Sequence, residues 1–150
     1  MAFIVQLAVI DDFPRLLPMV ETYHEFENIT MGDTARENAL RTLLTSPSLG
    51  SIWLIFTNHQ LAGYIALTFG YSIEFGGRDA FIDEFYIQPQ FRGLGLGQQT
   101  LKFIQQAAKA GNVCALHLEV ARDNENAKSL YTRANFRSRD KYVLMSVHLD

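Results

Sequence analysis

The sequence predicts a single α/β (α+β) domain in which a mixed, mostly antiparallel sheet of six to seven strands is flanked by about four helices. The length of 150 residues is that of one domain. Hydrophobic residues make up 48% of the chain and charged residues 19%, so a full core can be buried. Strand-like and helix-like segments alternate without a repeat or a linker. Residues 1–150 are therefore predicted to form one domain.

The elements follow from hydrophobic periodicity and from capping residues. The segment FIVQLAV predicts a first strand, and a helix follows it with Asp11 or Asp12 as its cap. A second helix is predicted from about Asp33 to Thr45 and is ended by Pro47. Three β-rich segments then form a meander, namely SIWLIFT, LAGYIALTFGYSIEF and DAFIDEFYI.

The second half of the chain alternates helices with strands. The helix QQTLKFIQQAAKAG ends at Gly111, because glycine is the commonest residue just past a helix. The remaining predicted elements are the strand VCALHLEVA, the capped helix DNENAKSLYTRA and the last strand KYVLMSVHL.

Composition argues against several classes of function. The net charge of -3 and the pI of about 5.8 do not suit a protein that binds nucleic acid. The one cysteine, Cys114, excludes an intramolecular disulfide and a cysteine-based metal site, and no metal is predicted. The start, MAFIVQLAVIDD, lacks the basic residues of a signal peptide, and no apolar run has the length of a membrane span. A cytoplasmic protein that does not bind membranes is predicted.

The segment IQPQFRGLGLG, residues 87–97, carries the strongest local signal. Glycine adopts positive φ without penalty and lets a ligand approach the backbone. A helix that starts behind such a turn offers unpaired N–H groups and a positive dipole end to an anion, and Arg92 adds a full charge. Residues 98–110 contain no acid, although helix starts usually attract acids. The pattern therefore indicates a phosphate site, with a purely structural turn as the alternative.

Two other phosphate motifs fit the spacing poorly. A Walker loop requires Gly-Lys-Ser/Thr, whereas Gly97 is followed by two glutamines. The dinucleotide fingerprint requires glycine or alanine where Gln98 lies, although Glu119 falls at the distance of its ribose-binding acid. The chain after Gly97 is also too short for the remaining strands of a dinucleotide-binding sheet.

Two motifs resemble those of the GCN5-related N-acetyltransferases (GNAT). RGLGLG behind a strand that ends in EFYI resembles the acetyl-CoA signature of the family. NENAKSLY, followed by ANF, resembles its asparagine-to-tyrosine helix and the Gly-Phe pair behind it. Asn135 replaces that glycine and also tolerates the left-handed conformation. IDEFYIQPQFRG and YHEF resemble the diamine and polyamine N-acetyltransferase branch.

The resemblance implies acetyl-CoA as co-substrate and direct attack of an amine on its thioester, without a covalent enzyme intermediate. The strand from Phe85 to Ile87 would pair with the pantetheine arm, the glycine turn would hold the pyrophosphate, and Asn124 would contact the arm. The residues that the resemblance assigns to the coenzyme are Phe85, Tyr86, Ile87, Arg92, Gly93, Leu94, Gly95, Leu96, Gly97, Gln98, Asn124 and Ala127.

An ammonium acceptor must lose a proton before it can attack, and Asp83 and Glu84 are the candidate bases. Strand alternation predicts that they point to opposite faces. An apolar face would raise the pKa of Asp83 toward the working range, which makes Asp83 the first choice. Binding to Arg78, to a loop amide or to a structural cation partner is the alternative for either acid. The predicted neighbours of Asp83 on its face are Phe81, Phe85 and Ile87.

Four further side chains are candidates for a catalytic or a structural role. The resemblance assigns to Tyr131 the protonation of the departing thiolate, whereas the apolar stripe on its helix alone indicates a core tyrosine. Cys114 is predicted to be a small core residue, and a Cys–His mechanism is excluded because residues three apart on a strand face opposite ways. His117 and Glu119 share a face and form an alternative base.

The acceptor pocket is expected near residues 21–28, because the family usually builds it from this helix and the next. Tyr23, Glu25 and Glu27 suit a cationic amine through charge and cation–π contact, and a solvated helix face is the alternative. A polyamine, a lysine side chain and an amino sugar all remain compatible. A homodimer through YVLMSV is expected. A non-catalytic acyl-CoA-binding module and a regulatory dimer with a vestigial site are the alternatives to the enzyme.

Overall fold

The structure is a computed structural model that describes residues 2–149. The chain divides into two compact units between Glu119 and Val120. The first unit contains the whole sheet and three helices, and the second contains one helix. That residues 1–150 act as one domain stays a prediction.

The predicted helices are confirmed to within three residues at each end. The helices are α1 (Phe13–Phe26), α2 (Asp33–Thr45), α3 (Leu96–Ala110) and α4 (Glu125–Arg133). The strands are β1 (Phe3–Leu7), β2 (Gly50–Thr57), β3 (Gln60–Ser72), β4 (Gly77–Ile87) and β5 (Ala115–His117).

The number of strands is five among the described residues, so the prediction of six to seven is wrong. The segment KYVLMSVHL forms no strand within residues 141–149, and its apolar side chains are exposed, with Met145 at 87%. A β-rich composition makes a strand only where a partner accepts its backbone hydrogen bonds. VCALHLEVA likewise contributes only three strand residues, because β4 pairs with it only over Asp79–Phe81.

The sheet has the order β1-β2-β3-β4-β5. Each of the first four strands is antiparallel to its neighbour, and short turns connect β2 to β3 and β3 to β4. Asn58 and His59 both have positive φ, as a two-residue hairpin requires. The last pair, β4 and β5, is parallel because α3 crosses between them.

Two hydrophobic layers cover the sheet of the first unit. On one face α1 and α2 pack against Leu54, Tyr64 and Tyr86. On the other face Leu96 at the start of α3 packs against Ile55 and Ala62. The strand β4 therefore lies between both layers at its carboxyl end, where the glycine turn follows.

A β-bulge interrupts β4 at Asp83. Glu84 lies opposite Ala66 and Ile82 lies opposite Leu67, so Asp83 is the extra residue. The alternation of faces is shifted at this point, and the prediction that Asp83 and Glu84 point to opposite faces is wrong. Both carboxylates interact with His24 of α1.

The predicted neighbours of Asp83 are corrected for the same reason. Phe85 and Ile87 pack with Leu96 of α3, whereas Phe81 contacts the ring of His117 and lies opposite Thr68. These three apolar residues therefore do not form one face around Asp83, because the bulge separates the first of them from the other two.

Candidate active site

Asp83 lies at the bulge with its side chain exposed. The surrounding protein removes part of the water from the carboxyl group, and this desolvation raises the pKa of Asp83 above the ordinary value. A positive charge on His24 would lower that pKa and so acts in the opposite direction. An accessible carboxyl group with a raised pKa suits a general base.

Glu84 has both carboxylate oxygens occupied by donors. The hydroxyl of Tyr64 donates to Oε1 at 2.7 Å, and Nε2 of His24 lies 2.6 Å from Oε2. Burial, followed by the negative charge of Glu84, raises the pKa of Tyr64, so this tyrosine stays neutral and remains a donor. Glu84 would have to break one of these bonds to accept a substrate proton, which leaves Asp83 as the better candidate.

The glycine turn has the backbone that the sequence predicts. Gly93 and Gly95 have φ of 78° and 82°, in the left-handed region. Gly95 is the N-cap of α3, and the first helical hydrogen bond runs from the amide of Gln99 to the oxygen of Gly95 at 3.2 Å. The amides before Gln99 have no hydrogen-bond acceptor within the helix and can bind a ligand. The first turn of α3 carries no acid. The residues thus fit a pyrophosphate cradle.

Arg92 ties this turn to the end of β4. Its Nε donates to the oxygen of Ile87 at 2.8 Å, and the guanidinium carbon lies 5.7 Å from the ring centre of Tyr86 and 5.9 Å from that of Phe26. The side chain is exposed, so its charge reaches the solvent in front of the turn.

The carboxyl half of β4 has an edge that β5 does not cover. Phe85, Tyr86 and Ile87 pair with β3 on one side. On the other side, within the described chain, β5 pairs only with Asp79–Phe81. An extended ligand with amide groups can pair with such an edge as an added strand does. The uncovered edge of β4 in the first unit thus fits a pantetheine arm.

Asn124 and Tyr131 belong to the second unit. The side-chain oxygen of Asn124 accepts from the amide of Ala127 at 3.1 Å and so caps α4. Tyr131 packs edge-to-face on Phe136 with ring centres 5.9 Å apart, and Asn135 has φ of 72°, as its left-handed position predicts. The coenzyme contacts of Asn124 and Ala127 and the catalytic role of Tyr131 stay predictions.

The prediction that Cys114 is a core residue is wrong, because its side chain is exposed. Cys114 precedes β5 and contacts the start of β4, with Sγ donating to the oxygen of Arg78 at 3.2 Å. His117 pairs with Asp79, with Nε2 3.0 Å from Oδ2, whereas Glu119 lies beyond the end of β5. Arg78 donates to the oxygen of Gly111 at the end of α3, so this arginine is bound elsewhere than at the two candidate bases.

The predicted acceptor residues divide into two environments. Tyr23 lies in an aromatic cluster, with its ring centre 5.9 Å from that of Tyr86 and 6.4 Å from that of Tyr64. Glu25 and Glu27 are exposed at the end of α1. Both the acceptor pocket and the solvated helix face are compatible with these positions, so the assignment stays a prediction.

Three residues beside the candidate bases were missed by the sequence reasoning: His24, Arg36 and Tyr64. His24 is 5% exposed and Tyr64 is 1% exposed. Their contacts join positions 12, 20 and 60 residues apart, and no local motif spans such distances. The segment YHEF, which contains His24, was the nearest signal.

Two features are absent from the described residues. Residues 2–149 contain no cluster of three or more histidine, cysteine, aspartate or glutamate side chains placed to hold a metal ion. No helix in this part of the chain has the length and apolar character needed to cross a membrane.

Comparison with known proteins identifies the family. The profile of the acetyltransferase (GNAT) family matches residues 13–136, which is most of the chain. The chain belongs to this family. The predicted resemblance is confirmed, and the two GNAT motifs at residues 92–97 and 124–131 both lie inside the matched range.

Two curated relatives are N-acetyltransferases. The chain is 35% identical to the uncharacterized N-acetyltransferase YycN of Bacillus subtilis over 48% of this chain and 45% of that protein. The match to YycN therefore spans less than half of that protein's length. A thialysine N-epsilon-acetyltransferase of Caenorhabditis elegans is 25% identical over 84% of this chain and 78% of that protein. At the level of the family, the prediction of an acetyl-CoA-dependent N-acetyltransferase is supported.

Solved structures share the fold. An integron cassette protein from the mobile metagenome of Cole Harbour Salt Marsh has a TM-score of 0.85 and 32% identity, covering 97% of this chain and 91% of that one. A predicted acetyltransferase from Clostridium acetobutylicum, solved with acetyl-CoA, has a TM-score of 0.78 and 19% identity, covering 97% of this chain and 96% of that one. The second comparison shows the fold alone.

Replacing Tyr131 with phenylalanine tests the predicted acid. We expect kcat to fall by about 10²-fold, because the thiolate would then leave without a positioned proton donor. The edge-to-face contact with Phe136 should persist, so the melting temperature should change little. A kcat that stays at the native value across the pH range would remove Tyr131 from the reaction. Tyr142→Phe, at an exposed tyrosine of the same unit, is the matched control.

Proposed function

We propose that this protein transfers an acetyl group from acetyl-CoA directly to a primary amine, without a covalent enzyme intermediate. The observation that carries the proposal is the carboxyl half of β4. Its edge is not covered by β5 and is followed by a left-handed glycine turn and a helix start, and Asp83 lies at the bulge before that edge. Membership of the GNAT family supports acetyl transfer, and the acceptor is a small polyamine-like amine or a lysine or amino-terminal amine.

The residues of β4 and of the turn would hold the coenzyme. Backbone groups of Phe85 to Ile87 pair with its amide-containing arm, and the amides of Gly93 to Gly97 bind its pyrophosphate beside Arg92. The bound coenzyme supplies the acetyl thioester. The absence of an acid from the first turn of α3 avoids repulsion of the phosphates.

Asp83 would then activate the acceptor. An alkyl ammonium has a pKa of about 10, and a base must take its proton before the nitrogen can attack. Asp83 accepts this proton, the nitrogen forms a bond to the acetyl carbon, and the bond to sulfur breaks while the nitrogen releases its second proton to solvent. Tyr131 donates a proton to the departing thiolate. The raised pKa of Asp83 narrows the gap to the ammonium and so makes the first proton transfer less costly.

Glu25 and Glu27 are proposed to attract the cationic acceptor. Replacing both by glutamine should raise KM for a diamine about threefold to tenfold and leave KM for acetyl-CoA unchanged, because exposed charges contribute up to about 1 kcal/mol each. The effect should shrink at high salt. Glu37→Gln with Glu74→Gln, a half-buried and an exposed acid elsewhere, removes the same charge as a control. An unchanged KM would indicate a merely solvated helix face.

The transfer activity is tested by thiol release. Purified protein is incubated with acetyl-CoA and a set of amines that contains diamines, polyamines, lysine peptides and amino sugars, and free thiol and acetylated product are measured. Stoichiometric thiol and acetylamine are expected for at least one amine class. Binding of acetyl-CoA without thiol release for any amine would favour the acyl-CoA-binding module.

We also propose a homodimer. The exposed apolar side chains of Val143, Met145 and Val147 support it, because free apolar segments of this kind often pair. Light scattering of the purified protein measures the mass directly, and a monomer at micromolar concentration would contradict the proposal.

A further inference from the structure

His24 lies at the centre of a chain of hydrogen bonds that crosses four elements. Nε of Arg36 on α2 lies 3.0 Å from Nδ1 of His24 on α1, and Nε2 of His24 lies 2.6 Å from Oε2 of Glu84 on β4. Tyr64 on β3 completes the chain at Oε1 of Glu84. The side chain of His24 is 6% exposed and that of Arg36 is 11% exposed, so water competes little with these bonds.

The chemistry of Arg36 determines the tautomer of His24. A guanidinium N–H can only donate, so Nδ1 of His24 must present its lone pair. The single ring proton is therefore on Nε2, from which it is donated to Glu84. Protonation of Nδ1 would set two N–H groups against each other. His24 is thus a neutral donor, and the short contact to Glu84 is a hydrogen bond rather than an ion pair.

Arg36 is itself held firmly. Its NH1 forms an ion pair with Asp33 at 3.1 Å, and its NH2 donates to the oxygen of Met31 at 3.4 Å. All three nitrogen atoms of the guanidinium therefore have partners, one of which is His24. The amino-terminal turn of α2 and the loop before it thus fix the direction of the Arg36 donor.

These hydrogen bonds place the adjacent acids Asp83 and Glu84 in different environments. Glu84 has both oxygens occupied by partners, while Asp83 has an exposed carboxyl group. The charged and titratable groups around His24 are Tyr23 on α1, Asp33 and Arg36 on α2, Tyr64 on β3, and Asp83 and Glu84 on β4.

We propose that Arg36 and His24 are positioning residues for acetyl transfer. Arg36 holds His24 as the neutral Nε2–H tautomer, and His24 with Tyr64 fixes the Glu84 carboxylate beside the bulge, so that Asp83 alone takes the acceptor proton. This inference rests on the proposed function for its catalytic consequence. The tautomer itself follows from the hydrogen-bond geometry.

The substitution His24→Gln separates a neutral donor from a charged partner. Glutamine can donate to Glu84 and cannot become a cation, so we expect His24→Gln to keep most of the native kcat/KM. His24→Leu removes the donor, leaves one oxygen of Glu84 without a partner, and should lower kcat/KM about tenfold to a hundredfold. Equal losses in both variants would show that His24 acts as a cation and would overturn the proposal.

Arg36→Met tests the choice of tautomer. Without the guanidinium, Nδ1 can take a proton, and a cationic His24 would lower the pKa of Asp83. The acid limb of the profile of kcat/KM against pH should therefore move to lower pH, and kcat/KM at its plateau should fall about tenfold. Combining Arg36→Met with His24→Gln should restore the native limb. Arg41→Met, on the same helix but stacked on Phe13, is the matched control.

Nitrogen NMR of the imidazole rings provides a test independent of activity. At neutral pH the ¹⁵N spectrum of His24, assigned by its loss in His24→Gln, should show one protonated nitrogen at Nε2 and one lone-pair nitrogen at Nδ1. An imidazolium, or a proton on Nδ1, would overturn this inference even in an active enzyme. The expected tautomer in a protein that transfers no acetyl group would instead contradict the proposed function.

Discussion

Asp83→Asn is expected to lower kcat/KM for acetyl transfer by about 10²-fold to 10⁴-fold, the range that a positioned general base contributes. Asparagine has nearly the same shape and cannot take a proton, so the bulge and the coenzyme affinity should survive. The KM for acetyl-CoA should stay close to native, which separates the loss of a base from the loss of the site. Steady-state kinetics with a good amine acceptor measures both quantities.

The dependence of activity on pH should reflect the raised pKa of Asp83. Because desolvation raises the pKa of Asp83, activity of the native enzyme should decline as the pH falls through that raised value, at a higher pH than an ordinary aspartate would give. The Asp83→Asn variant should lack this limb. Glu84→Gln should retain it, although with lower activity, since its oxygens hold Tyr64 and His24.

A second acid on β4 serves as the control. Asp79 binds His117 and lies outside the bulge, so Asp79→Asn should leave kcat/KM nearly unchanged. If Asp79→Asn caused the large loss and Asp83→Asn did not, the base would be His117, the alternative that the sequence left open. A modest loss in both variants would point to a water chain without a single base.

Gly95→Ala is expected to raise the Kd for acetyl-CoA about tenfold or more. Gly95 has φ of 82°, and a left-handed conformation costs an L-residue about 1–2 kcal/mol, of which 1.4 kcal/mol corresponds to a factor of ten. A Cβ at this position meets no atom within 4 Å, so the cost comes from the backbone and not from a clash. The turn would relax and its amides would lose their common direction. Coenzyme titration by calorimetry measures the change.

Two other glycines separate the possible causes of such a loss. Gly32 is the N-cap of α2, also has open space around a Cβ, and has φ of -72°, so Gly32→Ala should leave coenzyme affinity unchanged and lower stability only by the preference of N-caps for glycine over alanine. Gly76 has φ of 78° in the turn between β3 and β4. Gly76→Ala should destabilise the fold about as much as Gly95→Ala but leave coenzyme binding intact. Equal losses of affinity at Gly76 and Gly95 would contradict a specific role for the turn.

The helices and the glycine turn were predictable because their causes are local. The spacing of apolar residues and the helix-ending residues predict α1 to α3. Gly93 and Gly95 indicate positive φ, which glycine adopts without penalty. The same reasoning overestimated the strands, since KYVLMSVHL has β-forming residues but no partner among residues 2–149. A strand depends on what lies beside it, which one segment cannot specify.

The two adjacent acids of β4, Asp83 and Glu84, were also predictable only in part. The sequence predicts two adjacent carboxyl groups on β4 next to an acetyl-CoA motif, and it names Asp83 first. The stated reason for that choice was wrong, because simple alternation does not survive a bulge whose register depends on β3. The choice is now supported by different physics, namely the exposure of Asp83 and the full occupation of Glu84.

The sequence by itself determined the family motifs, the helices and the left-handed glycine turn, because each of these depends on residues that lie close together along the chain. Only the tertiary structure decided which acid is accessible and which is held by partners. His24, Arg36, Tyr64 and Glu84 lie far apart along the chain and meet only where α1 and α2 pack on the sheet. Hydrogen bonds of this kind are made between packed elements, and their partners are therefore chosen by the fold rather than by neighbouring residues.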